Sequence, residues 1–375
     1  MLRENHVAKI DLIKLIVSFS GIAQILKTLK STVGFASNAE ITLEMDPGTF
    51  NGDKLTRLHD AGVTRLSIGV QSFDSEILQK CGRAHTVDDI ALSLRLVMAS
   101  NFKDNFSIDL ISSLPNLIDK TWQNTLDSAA SSGCSHISVY DLQIEDKTAF
   151  GRWYTPGIFP LPTDEQSALM YCTASASLTS SGFEHYEVSN YAKPGKRSQH
   201  NQRYWKCLPT WGFGMGAASY IDNNRFTRPD RMADYTKWVA QLELQGFALA
   251  TAQTDDSHSE DSSSNVADDL DGGDLLLADG IYSPTDAPDI LEIVMLALRT
   301  SDGLDLANLN SMYGPLSVEK VCRAVKPFIE RGLVVVKDEI LNGADSQTGS
   351  ISLTDPKGFL LSNDIISSVF VELTC

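Results

Sequence analysis

ITLEMDPGTFNGDKLTRLHDAGVTRLSIGVQSF, residues 41 to 73, is the stretch whose reading decides the fold. It holds two short apolar runs rich in β-branched residues, Ile41 to Met45 and Arg65 to Val70, marked off by Gly and Pro. Between them, Gly52 to Asp60 has a helical pattern. Two strands joined through a helix make a βαβ unit, because parallel neighbours need a crossover connection. Glu44 and Gln71 fall at the carboxyl ends of these strands. Ligands bind at that edge in parallel α/β proteins, since its loops can vary while the sheet stays rigid.

The alternation continues outward. Ser20 to Val33 spaces Ile22, Ile25, Leu26 and Leu29 as a helix ahead of the first strand. Asp74 is placed to cap a short helix toward Cys81, and Thr86 to Ser100 is amphipathic. Strands are predicted at Phe106 to Ser112 and Ile137 to Leu142, with a helix at Trp122 to Ser131 between them. Strand and helix alternating at this spacing indicate a parallel sheet, open or closed into a barrel. Four strands alone would leave both sheet edges bare. Met1 to Phe19 shows no strand and no clear cap, and is left unassigned. Helices are read at Asp164 to Ser181 and Asp230 to Gln245, flanking a polar, aromatic segment from Glu184 to Trp211.

Composition bounds the function. The 375 residues suffice for two domains, and 42% hydrophobic with 21% charged residues is globular. A formal net charge of −17 argues against a nucleic-acid or anionic-membrane surface. Nine acidic residues lie between Asp255 and Asp279 with no Lys or Arg among them. Residues 251–288, rich in Asp, Ser and Gly, are expected to be a disordered insertion, because so little apolar area cannot offset ordering entropy. Lys14 and Lys27 bracket too few residues to span a bilayer. The six cysteines are scattered, with no pair at metal-ligand spacing. Residues 289–375 read as three helices followed by a hairpin, a winged-helix-like domain. Its third helix, Val318 to Arg331, offers few basic residues, which favours packing over DNA recognition.

Four strand ends supply polar groups: Glu44, Gln71, Asp109 and the pair Asp141/Gln143, with Arg83 on the following loop. Gathered on one rim, such carboxylates can hold hydroxyl and ammonium groups and the arginine a carboxylate. The residues alone leave open whether Glu44 and Asp109 bind a ligand or cap the following helices.

Nine ordered motifs make the reading specific: ITLEMDPGTF, RLSIGVQSF, CGRAH, IDLISSLP, ISVYDLQIE, YEVSNYAKPG, HNQRYW, GFGMGAASY and LTDPKGFLLSN. Together they resemble the oxygen-independent coproporphyrinogen III oxidase (HemN) family of radical S-adenosylmethionine (SAM) proteins, in its HemW branch of haem chaperones. The resemblance runs from about Ser20 to the C-terminus, outside the acidic insertion. It implies a partial (β/α) barrel of radical SAM type over residues 20–250, with S-adenosylmethionine across the strand ends. By the same resemblance Glu44, Gln71, Arg83, Asp109 and Gln143 contact S-adenosylmethionine. His200, in HNQRYW, matches the motif associated with haem. An imidazole beside Tyr204 and Trp205 suits iron ligation and porphyrin stacking, although a histidine among aromatics is also a common packing residue; His85 and His185 are the rivals.

The sequence departs from the family in one respect. Family members carry an early CxxxCxxC loop, whose thiolates hold a 4Fe–4S cluster, and a glycine-rich GGGTP loop; these 375 residues contain neither. The resemblance therefore implies a barrel missing its first strands, N-terminally truncated and without a cluster for radical chemistry. The leading expectation is a haem-binding chaperone that passes haem to an unknown acceptor protein, with part of a nucleoside site. The alternatives are a coproporphyrinogen III oxidase of porphyrin biosynthesis, or an incomplete product without stable function, because the missing strands would expose an apolar edge at Ile41. No address is legible: the chain as it stands reads as cytoplasmic, with a mitochondrion or plastid the alternatives for a longer form.

Overall fold

The computed structural model describes residues 11–12, 19–145, 148–221, 223–252, 276–277, 280–281, 288–337 and 349–375. The chain divides into two compact units, Met1–Lys206 with Ile290–Cys375, and Cys207–Asp289.

The first unit opens with β1 (Asp11–Leu12), α1 (Phe19–Thr32), β2 (Thr42–Met45), α2 (Gly52–Asp60) and β3 (Arg65–Gln71). It continues with α3 (Ser75–Lys80), α4 (Val87–Met98), β4 (Phe106–Ser112), α5 (Asp119–Ser131) and β5 (His136–Asp141). Then come α6 (Ala149–Trp153), α7 (Asp164–Ser180), β6 (Glu184–Glu187), β7 (Asn190–Ala192) and α8 (Gln199–Trp205). Local chemistry sets several starts: Asn51, Asp74 and Thr86 each accept a backbone N–H of the helix they precede, and Thr86 with Asp89 forms a capping box. Neither Glu44 nor Asp109 caps a helix. Asn51 occupies that place before α2, and α5 starts at Ile118 without a side-chain cap.

The strands form one seven-stranded sheet in the order β1-β2-β3-β4-β5-β7-β6. The first five are parallel; β7 joins β5 antiparallel and β6 joins β7 antiparallel. Two expectations are corrected here. Residues 1–19 do contribute a strand, since Asp11–Leu12 pairs in parallel with Thr42–Leu43 and covers part of the edge that was expected to be bare. The other edge is extended by a hairpin, Glu184 to Ala192, from a segment read only as polar and aromatic.

The two faces of the sheet differ. Leu43, Leu66, Ile68, Val70, Phe106, Ile108, Leu110, Ile137 and Val139 join a core completed by helical residues such as Leu55, Leu58, Ile90, Trp122 and Leu126. Trp122 is 1% exposed and donates its indole N–H to the Met170 carbonyl at 2.9 Å, tying α5 to α7. The alternate residues, Thr42, Glu44, Arg65, Ser67, Ser107, Asp109, His136, Ser138 and Tyr140, line a polar cavity on the opposite face. Period-two alternation thus separates a dry face from a wet one.

The second unit holds β8 (Ala218–Ile221) paired with β9 (Asn224–Thr227), α9 (Met232–Ala252), and β10 (Leu276–Leu277) paired with β11 (Gly280–Ile281). Most of the acidic stretch 251–288 lies outside the described residues; its four-residue β10–β11 pairing was not anticipated.

In the first unit the C-terminal elements have a core of their own. They are α10 (Ile290–Leu298), β12 (Leu304–Asp305), α11 (Leu306–Tyr313), α12 (Pro315–Glu330), β13 (Val334–Lys337), β14 (Ser350–Leu353), α13 (Lys357–Leu360) and α14 (Ser362–Thr374). Three helices and a sheet in the order β12-β14-β13 make the winged-helix-like arrangement, and α12 turns Val318, Val321, Ala324 and Val325 into its core. A clasp joins this part to α7 and β6: Asp355 accepts Ser175 Oγ–H at 2.7 Å and lies 2.6 Å from His185 Nδ1.

Candidate functional site

The sequence-predicted residues divide between two cavities. Glu44, Asp109 and His200 line the polar cavity on the inner sheet face. Gln71 and Arg83 line a second, mostly apolar one with Ile77, Leu78, Cys81, Ile111, Leu114, Leu142 and Phe150. Gln143, on the loop after β5, is exposed and lines neither.

The division has a backbone cause. Gly69 pairs with Asp109 and Gln71 with the next residue, Leu110, so β3 carries one extra residue at its end. Gln71 takes a positive φ of 62°, which turns its side chain out of the alternation that carries Arg65, Ser67 and Gly69. Gly69 leaves room for it: a Cβ there would come within 2.8 Å of Gln71 Nε2, so the amide would have to shift. Gln71 is 7% exposed and its Oε1 has no partner among the described residues. A buried amide oxygen left open beside apolar walls, in a cavity of about 170 Å³, suits the amino edge of a flat heterocycle. These residues fit part of a nucleoside.

The polar cavity is narrower, about 60 Å³. Ser107 Oγ–H donates to Ser67 at 2.8 Å and Ser67 Oγ–H to Asp109 Oδ2 at 2.9 Å, a hydroxyl chain across β3 and β4. Tyr140 keeps 46% of its surface exposed, yet crowding at its hydroxyl, from burial first and Asp109 next, pushes it up to about 12. His136 lies 2.8 Å from the Tyr186 hydroxyl, and burial, followed by the charge of Arg65, holds it well below the usual histidine range. It is a neutral imidazole at neutral pH.

His200 is brought to this cavity by the start of α8. Ser198 caps the helix by accepting Asn201 N–H at 3.3 Å, and the Glu40 carboxylate accepts the backbone N–H groups of Gln199 and His200 at 3.4 and 3.3 Å. The His200 ring meets Tyr204 edge-on at 4.7 Å. The two rival histidines serve the fold. His85 is buried with Nε2 3.3 Å from the Val70 carbonyl, and His185 is stacked on Tyr191 at 4.0 Å and engaged by Asp355. Of the three histidines, His200 is the one that lines the polar cavity.

A 4Fe–4S cluster does not fit the residues present. The six cysteines are scattered and in no disulfide, and no group of three metal-ligating side chains occurs among the described residues. Cys81 stands alone in the apolar cavity, its thiol pushed up by burial, against the lowering charge of Arg83.

Sequence reasoning missed Arg65, His136, Thr42 and the serines of the cavity floor. Their signal is the alternation itself, S-I-D-L over Ser107 to Leu110 and H-I-S-V-Y over His136 to Tyr140, which puts polar groups at every second position of buried strands.

The radical SAM superfamily model matches residues 8–129 and the HemN C-terminal domain model residues 284–342. The haem chaperone HemW of Synechocystis is 34% identical over 364 residues, covering 96% of this chain and 81% of the relative. HemW of Bacillus subtilis is 29% identical over 335 residues, covering 89% and 77%. Radical S-adenosyl methionine domain-containing protein 1, mitochondrial, of Bos taurus is 36% identical over 196 residues, 52% of this chain and 44% of the relative. Among solved structures, coproporphyrinogen III oxidase (HemN) from Escherichia coli superposes with a TM-score of 0.68 at 20% identity, covering 94% of this chain and 74% of that one. At that identity the likeness is one of fold.

Proposed function

This chain belongs to the HemW family of radical SAM proteins, and we propose from that premise that it binds haem and passes it to an acceptor protein. The observation that carries the reading is the position of His200. It faces the polar cavity with Tyr204 against its ring, while His85 and His185 are committed to structural contacts. An imidazole ligates haem iron, and neighbouring aromatic rings stack on a porphyrin.

The nucleoside part of the reading is carried by two groups of residues. Glu44 and Asp109 offer carboxylates to hydroxyl or ammonium groups, and Arg83 offers a planar fork to a carboxylate. Gln71 offers its open amide oxygen, and Gln143 is a peripheral contact. S-adenosylmethionine supplies a nucleoside, an amino group and a carboxylate for such contacts. Radical cleavage is no part of the proposal, since these 375 residues hold no cysteine set for the cluster. The coproporphyrinogen III oxidase alternative is supported by a likeness of fold alone. For a longer form the proposal extends to a mitochondrial compartment, supported by the likeness to the mitochondrial relative of Bos taurus; among the described residues no helix is long and apolar enough to cross a membrane.

Titration of the purified protein with haemin tests the reading. A saturable Soret shift is expected, and His200→Ala is expected to abolish it or weaken it at least about tenfold. Absence of any shift in the unaltered protein would refute haem binding.

A further inference from the structure

We propose that Arg65, with Thr42 and His136, forms a carboxylate-binding pocket at the base of the polar cavity, and that it receives one propionate arm of the tetrapyrrole met by His200. The inference rests on the haem-binding reading and adds to it the group that orients the ligand.

Arg65 is the first residue of β3, on its cavity side, and is 5% exposed. No hydrogen bond or ion pair involves its guanidinium among the described residues. A guanidinium carries five N–H donors, no acceptor, and a charge it does not lose, so burying it without a counter-charge is costly. Thr42 stands opposite Arg65 in the parallel register, and its hydroxyl is also buried without a partner among the described residues.

His136 adds a third donor. The Tyr186 oxygen accepts the Ser198 backbone N–H at 3.4 Å, and the acceptor within reach of its own O–H is His136 Nε2 at 2.8 Å. In the neutral ring the proton then sits on Nδ1, which is buried without a partner among the described residues. Arg65, Thr42 and His136 thus present donors to one cavity without a bonded acceptor among the described residues. The group that completes them is acceptor-only, as a carboxylate is.

The carboxylates of the cavity stand elsewhere along it. Glu44 pairs in register with Ser67, two residues beyond Arg65, and Asp109 pairs with Gly69, four residues beyond. The Asp109 carboxylate accepts the Ser67 hydroxyl at 2.9 Å, so both carboxylates reach the level of Ser67, two residues or about 7 Å of strand beyond Arg65. The cavity is therefore positive at its base and negative toward the carboxyl ends of the strands. At about 60 Å³ it lies well below the roughly 300 Å³ of a small-molecule pocket, so it admits a short carboxylate arm and excludes a macrocycle. His200 lines the same cavity, so a ring whose iron it meets can send a propionate inward to Arg65.

The test compares haemin with haemin dimethyl ester, whose propionates are blocked, by Soret titration of the full chain. For the unaltered protein the ester is expected to bind at least about tenfold more weakly than haemin, the effect of losing a charge-assisted bidentate contact. Arg65→Met is expected to weaken haemin by a similar factor and to remove the difference between the two ligands, whereas His200→Ala weakens both. Equal binding of haemin and ester by the unaltered protein overturns the pocket while leaving haem binding intact. Binding of neither refutes the haem reading and the pocket with it. The ester comparison uses no variant, so it decides the matter even if Arg65→Met fails to fold.

Discussion

Glu187→Gln is expected to stabilise the protein in alkali and leave it unchanged in acid. Glu187 closes β6, its backbone bridging to Thr300 and pairing with Asn190, and its side chain is held at 1% exposure. Burial pushes its carboxyl from an ordinary 4.5 to about 7, and the Asn190 side chain, the Ser189 backbone and the charge of Arg299 offset only part of that. Its Oε1 has no partner among the described residues. A carboxyl raised in the folded state holds its proton more tightly there than in the unfolded chain. Its contribution is complete below the unfolded value and is lost as pH rises through 7. The loss amounts to about 3 kcal/mol, to order of magnitude. Glutamine keeps the shape and carries no charge at any pH. Urea unfolding of both proteins from about pH 4 to about pH 9 should show the variant gaining about 3 kcal/mol on the unaltered protein across that range. A carbon-13 titration of the Glu187 carboxyl reads the same event directly. A stability gap that is constant with pH, or a carboxyl titrating near 4.5, would refute the reasoning.

Two further outcomes are expected. Asp355→Ala removes the acceptor of Ser175 and His185, whose side chain is 1% exposed, and should cost about 1–2 kcal/mol in thermal or urea unfolding; the estimate is modest because the Asp355 side chain is itself 33% exposed. Burial raises the Asp355 carboxyl, but its hydrogen bond and charge pairing with His185 and the Ser175 hydroxyl outweigh this and leave it below 3.8. Its contribution is present above the unfolded value and should fade as pH falls through the lower folded one, which acid unfolding of Asp355→Ala beside the unaltered protein measures. Finally, burial pushes the Cys134 thiol up to about 11, while Cys375 is exposed. Iodoacetamide on the native protein should therefore modify Cys375 and spare Cys134, read by peptide mass spectrometry.

The sequence by itself determined the parallel part of the fold. Each strand and helix from Thr42 to Asp141 is a local pattern, so apolar spacing and caps such as Asp74 mark them within a few residues. Ordered motifs also identified the family, and HNQRYW pointed to His200. What only the tertiary structure decided depends on pairings between distant residues. The Glu184–Ala192 hairpin and the two-residue strand at Asp11 are too short to show a period, and they exist because sheet edges elsewhere in the chain accept them. The parting of Gln71 and Arg83 from Glu44, Asp109 and His200 follows from one extra residue in β3, visible only once β4 fixes the register. Arg65 and His136 read in sequence as ordinary polar members of strands. Their meaning as donors without bonded acceptors among the described residues arises because folding sets Thr42, Arg65 and His136 around one polar cavity, a grouping that pairing between distant strands creates.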